Sequence, residues 1–211
     1  MKLYESLYIF LRYINDIGYL MEFMIDFGYR EKKQNEWTFK DQAHYVSLYN
    51  TIIMNVCSFL DEYNKHFLFR AEPEFHDRIS QVKKIAKPAF KKINDWKDIR
   101  DYRNHMIAHN FRIDGDKFSL NTLGQYNAPR TYRDLAVLRK HLNMVYTVIE
   151  AEFKNEINHI PSFVNEFEVK EQKINYDTIE IDLANLVNEI NQLCETHNKA
   201  YRLTIEYFMS L

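Results

Sequence analysis

The sequence contains few glycines and prolines, only four of each in 211 residues. Strands joined by tight turns need more of both, because turn positions demand a positive or a preset φ. Only two cysteines occur, Cys57 and Cys194, without the CxxC spacing of many metal and redox sites. Each lies in an apolar helical pattern, so we interpret both as reduced core thiols, which suits a cytoplasmic protein. The composition therefore favours an all-α fold of long helices.

Neither sign of charge dominates, and no long uncharged hydrophobic run is present. The 28 basic and 30 acidic residues leave a net charge of −2, which argues against broad, sequence-independent binding of nucleic acid but allows a small local site. The apolar stretch near the N-terminus is interrupted by Arg12, Asn15 and Asp16, so it fits neither a signal peptide nor a membrane span. We expect a cytoplasmic protein without membrane association.

Apolar residues recur every three or four positions in six stretches, and this is the period of an α-helix. The stretches predict helices over about residues 3–27, 41–69, 73–88, 96–110, 131–161 and 179–211. We therefore predict one helical bundle of five or six helices in a single domain over residues 1–211. Its core spans about residues 1–155, residues 161–177 form a crossover, and residues 178–211 add a long C-terminal helix.

Prolines and capping residues refine two of these helices. Pro73 suits the first turn of the third helix, where its missing N–H costs little. Pro88 is expected to interrupt the same helix, because proline removes a backbone donor and its ring clashes with the preceding turn. Asn94 or Asp95 is expected to cap the short helix that follows.

Helical spacing fails over residues 111–129, directly after this short helix. Asp114 and Gly115 lie there between two short runs, residues 111–113 and 117–120. An Asp-Gly pair is favoured in two-residue hairpin turns, because both positions need a positive φ. We therefore predict a small irregular or hairpin insertion after the short helix.

The short helix carries the chemically informative segment, residues 96–109. Projected at about 100° per residue, Arg103 lies on its apolar side, so the guanidinium needs a carboxylate partner, an exit to solvent or a ligand. Asp61 and Glu62 on the second helix are candidate partners. His109 leaves an ideal helix about 120° from Arg103, so convergence needs a long arginine reach, a distorted helix end or a second copy of the helix.

His109 lies near the end of the predicted helix, where the helix dipole favours the charged imidazolium. A histidine that titrates near neutral pH is suited to general acid–base catalysis. The structural alternatives are an ordinary surface or capping role for His109, and an ion pair with a core acid for Arg103. The pattern of single residues leaves both alternatives open.

The segment Arg103-Asn104-His105-Met106-Ile107-Ala108-His109 resembles the signature of the HEPN superfamily. That signature is an Arg, then Asn, Asp or His, a short spacer and a His, and the ending Ile107-Ala108-His109 is also typical of it. HEPN proteins are small helical bundles with this motif on a late, short helix. The resemblance is close over these seven residues, extends loosely over residues 1–155, and is strongest to the abortive-infection branch.

The resemblance implies cleavage of RNA without a metal or other cofactor, in a toxin–antitoxin or phage-defence role. It implies a homodimer that brings two motif helices together, and it allows a cognate antitoxin as a further partner. By the same resemblance His109 would transfer the proton of the attacking 2′-hydroxyl or of the leaving oxygen, and Arg103 would hold the scissile phosphate. Asn104 would orient these two groups or bind phosphate. DNA, which lacks the 2′-hydroxyl, would be inert.

Two other classes of function remain open. His105 and His109 are four residues apart, the spacing by which a helix presents two imidazoles to zinc, so a metal-dependent hydrolase is one alternative. Its further ligands would come from His44, His66, His141, His159 or His197. The other alternative is a non-catalytic HEPN-like module for RNA binding or assembly, in which the wide apolar faces of the first and last helices form an interface.

Overall fold

The chain divides into two compact units, Met1–Glu166 and Phe167–Leu211. The computed structural model describes residues 2–31, 36–104, 112–113, 117–118, 126–160, 184–185, 187–189, 191–192, 195 and 204. Every long element in these ranges is an α-helix, which confirms the all-α fold class. No helix among the described residues is long and apolar enough to cross a membrane.

The first unit is a bundle built mainly from four long helices, the first, second, fourth and sixth of its described helices. In chain order its described helices are α1 (Lys2–Asp26), α2 (Phe39–Asp61), α3 (Phe67–Arg70), α4 (His76–Ile93), α5 (Ile99–Tyr102), α6 (Tyr132–Glu152) and α7 (Lys154–Asn158). A π-helical turn, Glu62–His66, joins α2 to α3 without a break in the helical run. A 3₁₀ turn, Pro73–Phe75, leads into α4 and places Pro73 at its start, as predicted.

A short antiparallel hairpin lies between α5 and α6. Its strands are β1 (Arg112–Ile113) and β2 (Lys117–Phe118). Arg112 pairs with Phe118 and Ile113 pairs with Lys117. This register confirms the hairpin that Asp114-Gly115 predicts between the two runs.

The ends of the connection between α1 and α2 follow from local sequence. Gly28 adopts a positive φ of 75° beyond α1, and the N–H of Tyr29 donates to the carbonyl of Met24 at 2.9 Å. This is the glycine-ended cap that satisfies the last carbonyls of many helices. At the other end Thr38 accepts a hydrogen bond from the N–H of Asp41, and the Asp41 carboxylate accepts one from the N–H of Thr38. This reciprocal capping box starts α2 two residues before the predicted position.

The core lies where α1 packs against α2 and α6, and where α6 packs against α4. The apolar stripes predicted for the first helix and for residues 131–153 are buried throughout. Phe10 lies in the middle of this core, with its ring centroid 4.9 Å from that of Phe59 and 5.0 Å from that of Phe67. Val46 and Ile85 belong to the apolar periods of residues 41–69 and 73–88 but are exposed.

The predicted interruption at Pro88 is wrong, because α4 continues through this proline to Ile93. Pro88 has no N–H to donate to the carbonyl of Lys84 one turn earlier. Both residues are exposed, so water can bond that carbonyl instead. The buried side chains of Ile79 and Ala86 hold the helix against α6 on the opposite side. Tertiary packing therefore outweighs the local preference of the proline.

The long helix that begins after Thr131 ends at Glu152, well before the predicted end near residue 161. Phe153 leaves the helical conformation, with φ −112° and ψ 30°, and α7 begins at Lys154. Arg78 of α4 stabilises the break, because its Nη2 donates to the freed carbonyl of Glu152 and its Nε donates to the Glu152 carboxylate at 2.7 Å. The partner that stabilises this break comes from a distant helix, so no local signal predicts it.

In the second unit, every described residue between positions 184 and 195 is helical, whereas Thr204 is not. The first observation agrees with the helix predicted from residue 179 onward. The second shows that this helix does not continue unbroken to the C-terminus. The crossover predicted over residues 161–177 lies outside the described residues.

Candidate active site

The helix that precedes the motif, α5, is anchored at its start by a residue from the segment before α6. It begins at Ile99 rather than near residue 96, and Asp98 occupies the N-cap position. Asp98 accepts a hydrogen bond from the N–H of Asn127 at 2.7 Å, and its own N–H donates to the carbonyl of Asn127 at 3.2 Å. The predicted caps are wrong: Asn94 ends α4 instead, and Asp95 lies in the turn between the helices.

Aromatic contacts hold the buried side of α5 against α2. The ring of Tyr102 lies 5.8 Å from that of Tyr49 and 5.9 Å from that of Tyr126, centroid to centroid. The hydroxyl of Tyr49 donates to the carbonyl of Pro129. Burial raises the pKa of both Tyr49 and Tyr102, so both phenols stay protonated at neutral pH. These contacts fix the direction in which the chain leaves α5, and Arg103 and Asn104 are the next two residues.

Asp61, the last residue of α2, is the charged partner of the motif. Its Oδ2 accepts a hydrogen bond from Nη1 of Arg103 at 3.1 Å. Its Oδ1 lies 3.4 Å from Nε of Arg100 and 3.0 Å from Nζ of Lys65. Partial burial raises the pKa of Asp61, but hydrogen bonds from Lys65 and Arg103 outweigh this and bring it below its ordinary value. The carboxylate is therefore ionised at neutral pH.

Glu62, the other candidate partner of Arg103, serves a different contact. It is buried, accepts a hydrogen bond from Oγ of Ser6 at 2.5 Å, and lies 3.7 Å from Nη1 of Arg70. Successive helical residues differ by about 100° in direction, so Asp61 and Glu62 meet different neighbours. Of the two predicted carboxylates, only Asp61 pairs with Arg103.

Asn104 completes the arrangement around the guanidinium of Arg103. Nε of Arg103 donates to Oδ1 of Asn104 at 3.1 Å, so two of its nitrogens are held, Nε by Asn104 and Nη1 by Asp61. Among the described residues, none accepts a hydrogen bond from Nη2, and 27% of the side chain is exposed. Arg103 and Asn104 lie in a π-helical turn, a distortion that is frequent at functional sites. A fixed, partly exposed guanidinium fork is suited to bind a phosphate.

The two histidines of the motif, His105 and His109, lie outside the described residues. Two of the histidines considered as further zinc ligands have other partners: Nδ1 of His44 lies 3.1 Å from the hydroxyl of Tyr29, and Nδ1 of His159 lies 2.6 Å from a backbone carbonyl. Within the described part of the chain, no three His, Cys, Asp or Glu side chains are grouped as metal ligands are. A zinc site at His105 and His109 stays a prediction.

Cys57 lies near Asp61, Arg100 and Arg103 and is the reduced core thiol that the sequence predicts. It is a buried free thiol, and its Sγ lies 3.7 Å from the carbonyl of Ile99. Burial raises the pKa of the Cys57 thiol to about 11, although Arg103 and Arg100 act in the opposite direction. The thiol is therefore protonated and unreactive at neutral pH. Cys194 lies outside the described residues.

Two of the three cations that contact Asp61, Arg100 and Lys65, were not among the predicted site residues. Arg100 precedes Arg103 by three positions, a spacing that places two helical side chains on one face, so the sequence contained a signal for it. Lys65 follows Asp61 by four positions, the spacing that brings two side chains together on one helix, so the sequence contained a signal for this pair too. The approach of Arg100 to Asp61 depends on how α2 and α5 pack, and no periodicity within either helix reports that packing.

No protein-family model, curated protein or solved structure matches this chain. The resemblance to the HEPN signature therefore depends on the motif residues and on the helical character of the bundle. The contacts of Arg103, Asn104 and Asp61 are the observations on which a function can be argued.

Proposed function

We propose that this protein is a metal-independent endoribonuclease of the HEPN type, with a toxin–antitoxin or phage-defence role in the cytoplasm. The observation that supports the proposal is the state of Arg103. Its guanidinium is fixed by Asp61 and by Asn104, yet 27% of the side chain remains exposed and Nη2 carries no hydrogen bond to another described residue. An arginine held in this way loses little further freedom when it binds a phosphate.

The proposed reaction is cleavage through the 2′-hydroxyl of the RNA. The 2′-oxygen attacks the adjacent phosphorus, the bond from phosphorus to the 5′-oxygen breaks, and a 2′,3′-cyclic phosphate and a 5′-hydroxyl form. His109 transfers the proton that leaves the 2′-oxygen or the proton that reaches the 5′-oxygen, a contribution of typically about 10²–10⁴ in rate. Arg103 stabilises the negative charge that grows on the phosphoryl oxygens. DNA has no 2′-hydroxyl and is not cleaved.

In this proposal Asn104 acts on Arg103 and the active site is formed by a homodimer. The Asn104 amide oxygen holds Nε of Arg103 and leaves the donors at the other end of the guanidinium for phosphate. On an ideal helix His109 would point about 120° away from Arg103, so a second motif helix supplies the missing group more readily than the same helix does. A cognate antitoxin that covers this surface would keep the enzyme inactive.

A non-catalytic RNA-binding or assembly module is the second candidate. The observation that favours it is the ion pair itself, because Asp61 already neutralises one of the two arginines of α5 and the turn after it. In this second candidate, the ion pair of Arg103 has a structural role alone and holds α5 against α2. The module predicts RNA binding or self-association without turnover.

One cleavage assay separates these functions. Purified protein is incubated with single-stranded RNA, or with DNA of the same sequence, in EDTA, beside Arg103→Ala and His109→Ala. We expect cleavage of RNA alone, lowered about 10²–10³-fold in Arg103→Ala and about 10²–10⁴-fold in His109→Ala. Arg12→Ala is the matched control, because it removes an exposed arginine that is also paired with an aspartate, Asp16. This variant should cleave RNA at the wild-type rate.

Three results of this assay would contradict the proposal. Equal background in all variants would mean contamination and would favour the non-catalytic module. Activity that disappears in EDTA and returns with zinc would favour the metal-dependent hydrolase, and His105→Ala would then abolish it. Cleavage of DNA at the rate of RNA would exclude a mechanism that uses the 2′-hydroxyl.

A further inference from the structure

Three cations from two elements of the fold gather at the single carboxylate of Asp61. Arg103 and Arg100 belong to α5 and the turn after it, and Lys65 belongs to the π-helical turn after α2. The nitrogen–oxygen distances are 3.1 Å for Arg103, 3.4 Å for Arg100 and 3.0 Å for Lys65. Three positive charges share one negative charge, so this cluster, the Asp61 cluster, has an excess of two positive charges.

The excess charge faces solvent rather than the core. The side chain of Lys65 is 62% exposed, that of Arg100 is 36% exposed, and Asp61 between them is only 21% exposed. Like charges held within ion-pair distance of one carboxylate repel each other, and a bound anion relieves this repulsion. One cation would be enough to neutralise Asp61. The arrangement therefore favours an anionic ligand.

Neighbouring carboxylates do not cancel the excess. Glu62 is buried and occupied by Ser6 and Arg70. Asp101 leaves α5 about 100° from Arg100, a direction that differs from that of the cluster. Among the described residues, Asp61 is the only acidic side chain within 4 Å of Lys65, Arg100 or Arg103.

We propose that Lys65 and Arg100 bind the backbone phosphates of the RNA strand that flank the phosphate held by Arg103. The identity of the ligand as RNA rests on the proposed function, whereas the anion-binding character rests on the Asp61 cluster itself. Arg100 lies one helical turn before Arg103, so the two present guanidinium groups on one side of α5. Lys65 extends the positive surface onto the neighbouring turn. These contacts carry no base specificity, because they reach only the backbone.

Binding is tested separately from cleavage with a labelled RNA strand whose sugars are 2′-O-methylated and cannot react. Fluorescence anisotropy gives its affinity for the wild type, Lys65→Ala, Arg100→Ala and the double variant over a series of salt concentrations. A lost phosphate contact lowers the slope of log affinity against log salt by about 0.7 for a single strand. If a variant and the wild type bind equally at about 1 M salt, this difference in slope makes the variant bind about fivefold more weakly at about 0.1 M salt.

Matched variants control for charge and for folding. Lys92→Ala removes a lysine that is 66% exposed and paired with Asp95, and Arg12→Ala removes an exposed arginine paired with Asp16. Each control loses one positive charge and one ion pair between residues three or four positions apart, outside the Asp61 cluster, and both should bind as the wild type does. Lys65→Arg and Arg100→Lys keep the charge, so they should retain most of the affinity.

The outcomes separate this inference from the ribonuclease proposal. If wild-type protein cleaves RNA but Lys65→Ala and Arg100→Ala bind with wild-type affinity and salt slope, the inference is overturned and the ribonuclease stands. If the protein binds through Lys65 and Arg100 but cleaves no RNA, the ribonuclease is rejected and the phosphate-binding surface stands. Equal losses in Lys92→Ala and Arg12→Ala, or no binding by the wild type, also overturn the inference.

Discussion

Nη1 of Arg103 lies 3.1 Å from Oδ2 of Asp61, and this contact joins the end of α2 to the residues that follow α5. The two residues are separated by 42 positions in the sequence. Because Asn104 holds the Nε end of the same guanidinium, the plane of Arg103 is fixed from two sides. Asp61 is thus a positioning residue in the proposed ribonuclease: it touches Arg103 and not the RNA.

Replacement of Asp61 by asparagine should lower the rate of cleavage without weakening RNA binding. Asn keeps the volume but not the charge, so it holds Arg103 less firmly, and a shift of about 1 Å in a positioned group can cost about 100-fold in rate. Affinity should stay equal or rise, because a negative charge leaves the Asp61 cluster. Single-turnover cleavage gives the rate, and anisotropy with 2′-O-methyl RNA gives the affinity.

Asp16→Asn is the control for this experiment, since Asp16 pairs with Arg12 at 3.6 Å on α1. It should change neither quantity. Weaker binding by Asp61→Asn with an unchanged single-turnover rate would contradict the positioning role. Asp61→Glu, which keeps the charge, should recover more of the rate than Asp61→Asn does.

The stabilising effect of Asp61 should depend on pH in a direction that the structure determines. Partial burial raises the pKa of Asp61, but the hydrogen bonds from Lys65 and Arg103 bring it below its ordinary value. A carboxyl whose pKa is lowered on folding stabilises the fold above its unfolded pKa of about 3.9 and loses this effect as the pH falls through the folded value. Asp61→Asn should therefore be less stable than the wild type at neutral pH.

This difference in stability is small, because Lys65 is largely exposed and water screens its attraction to Asp61. We expect at most about 1 kcal/mol in the free energy of unfolding at pH 7. Urea denaturation of both proteins at a series of pH values should show the gap narrowing below about pH 4. A gap that is constant into the acid range would mean that Asp61 contributes by packing and not by its charge.

Replacement of Pro88 by alanine should stabilise the protein. Pro88 lies inside α4 at an exposed position, where proline costs about 3 kcal/mol relative to alanine. Proline also restricts the unfolded chain, which stabilises the folded protein by up to about 1 kcal/mol and is lost in the variant. The free energy of unfolding should therefore rise by about 2 kcal/mol in Pro88→Ala. Lys87→Ala, at the neighbouring exposed position, should stay within about 0.5 kcal/mol of the wild type. Lower stability of Pro88→Ala in urea denaturation would mean that α4 needs the proline.

Features that depend on a few neighbouring residues were predictable from the sequence. Gly28 ends α1, and the Asp114-Gly115 pair predicts a hairpin whose strands are present on either side of it. The buried stripes of α1 and α6 follow from the apolar period. Each of these signals acts within about one helical turn or one hairpin, so the local sequence contains all the information that it needs.

Two boundaries were wrong because a distant partner decided them. α4 continues past Pro88 since its buried side is held by α6, and α6 stops at Glu152 since Arg78 binds the carbonyl released there. In both helices a contact with another helix opposed the preference predicted from the sequence. The packing energy that opposed it was not visible along the chain.

The same division holds at the candidate site. The residues Arg103 and Asn104 and their spacing to His109 could be read from the sequence, because a motif is a linear pattern. The sequence also narrowed the partner of Arg103 to two adjacent carboxylates, but the register of α2 against α5 decided for Asp61 and buried Glu62 beside Ser6. That register also brought Arg100 to the same carboxylate, whereas Lys65 reaches it from four positions later in the same helical run. Ion pairs between helices depend on how two surfaces meet, and only the tertiary structure determines that.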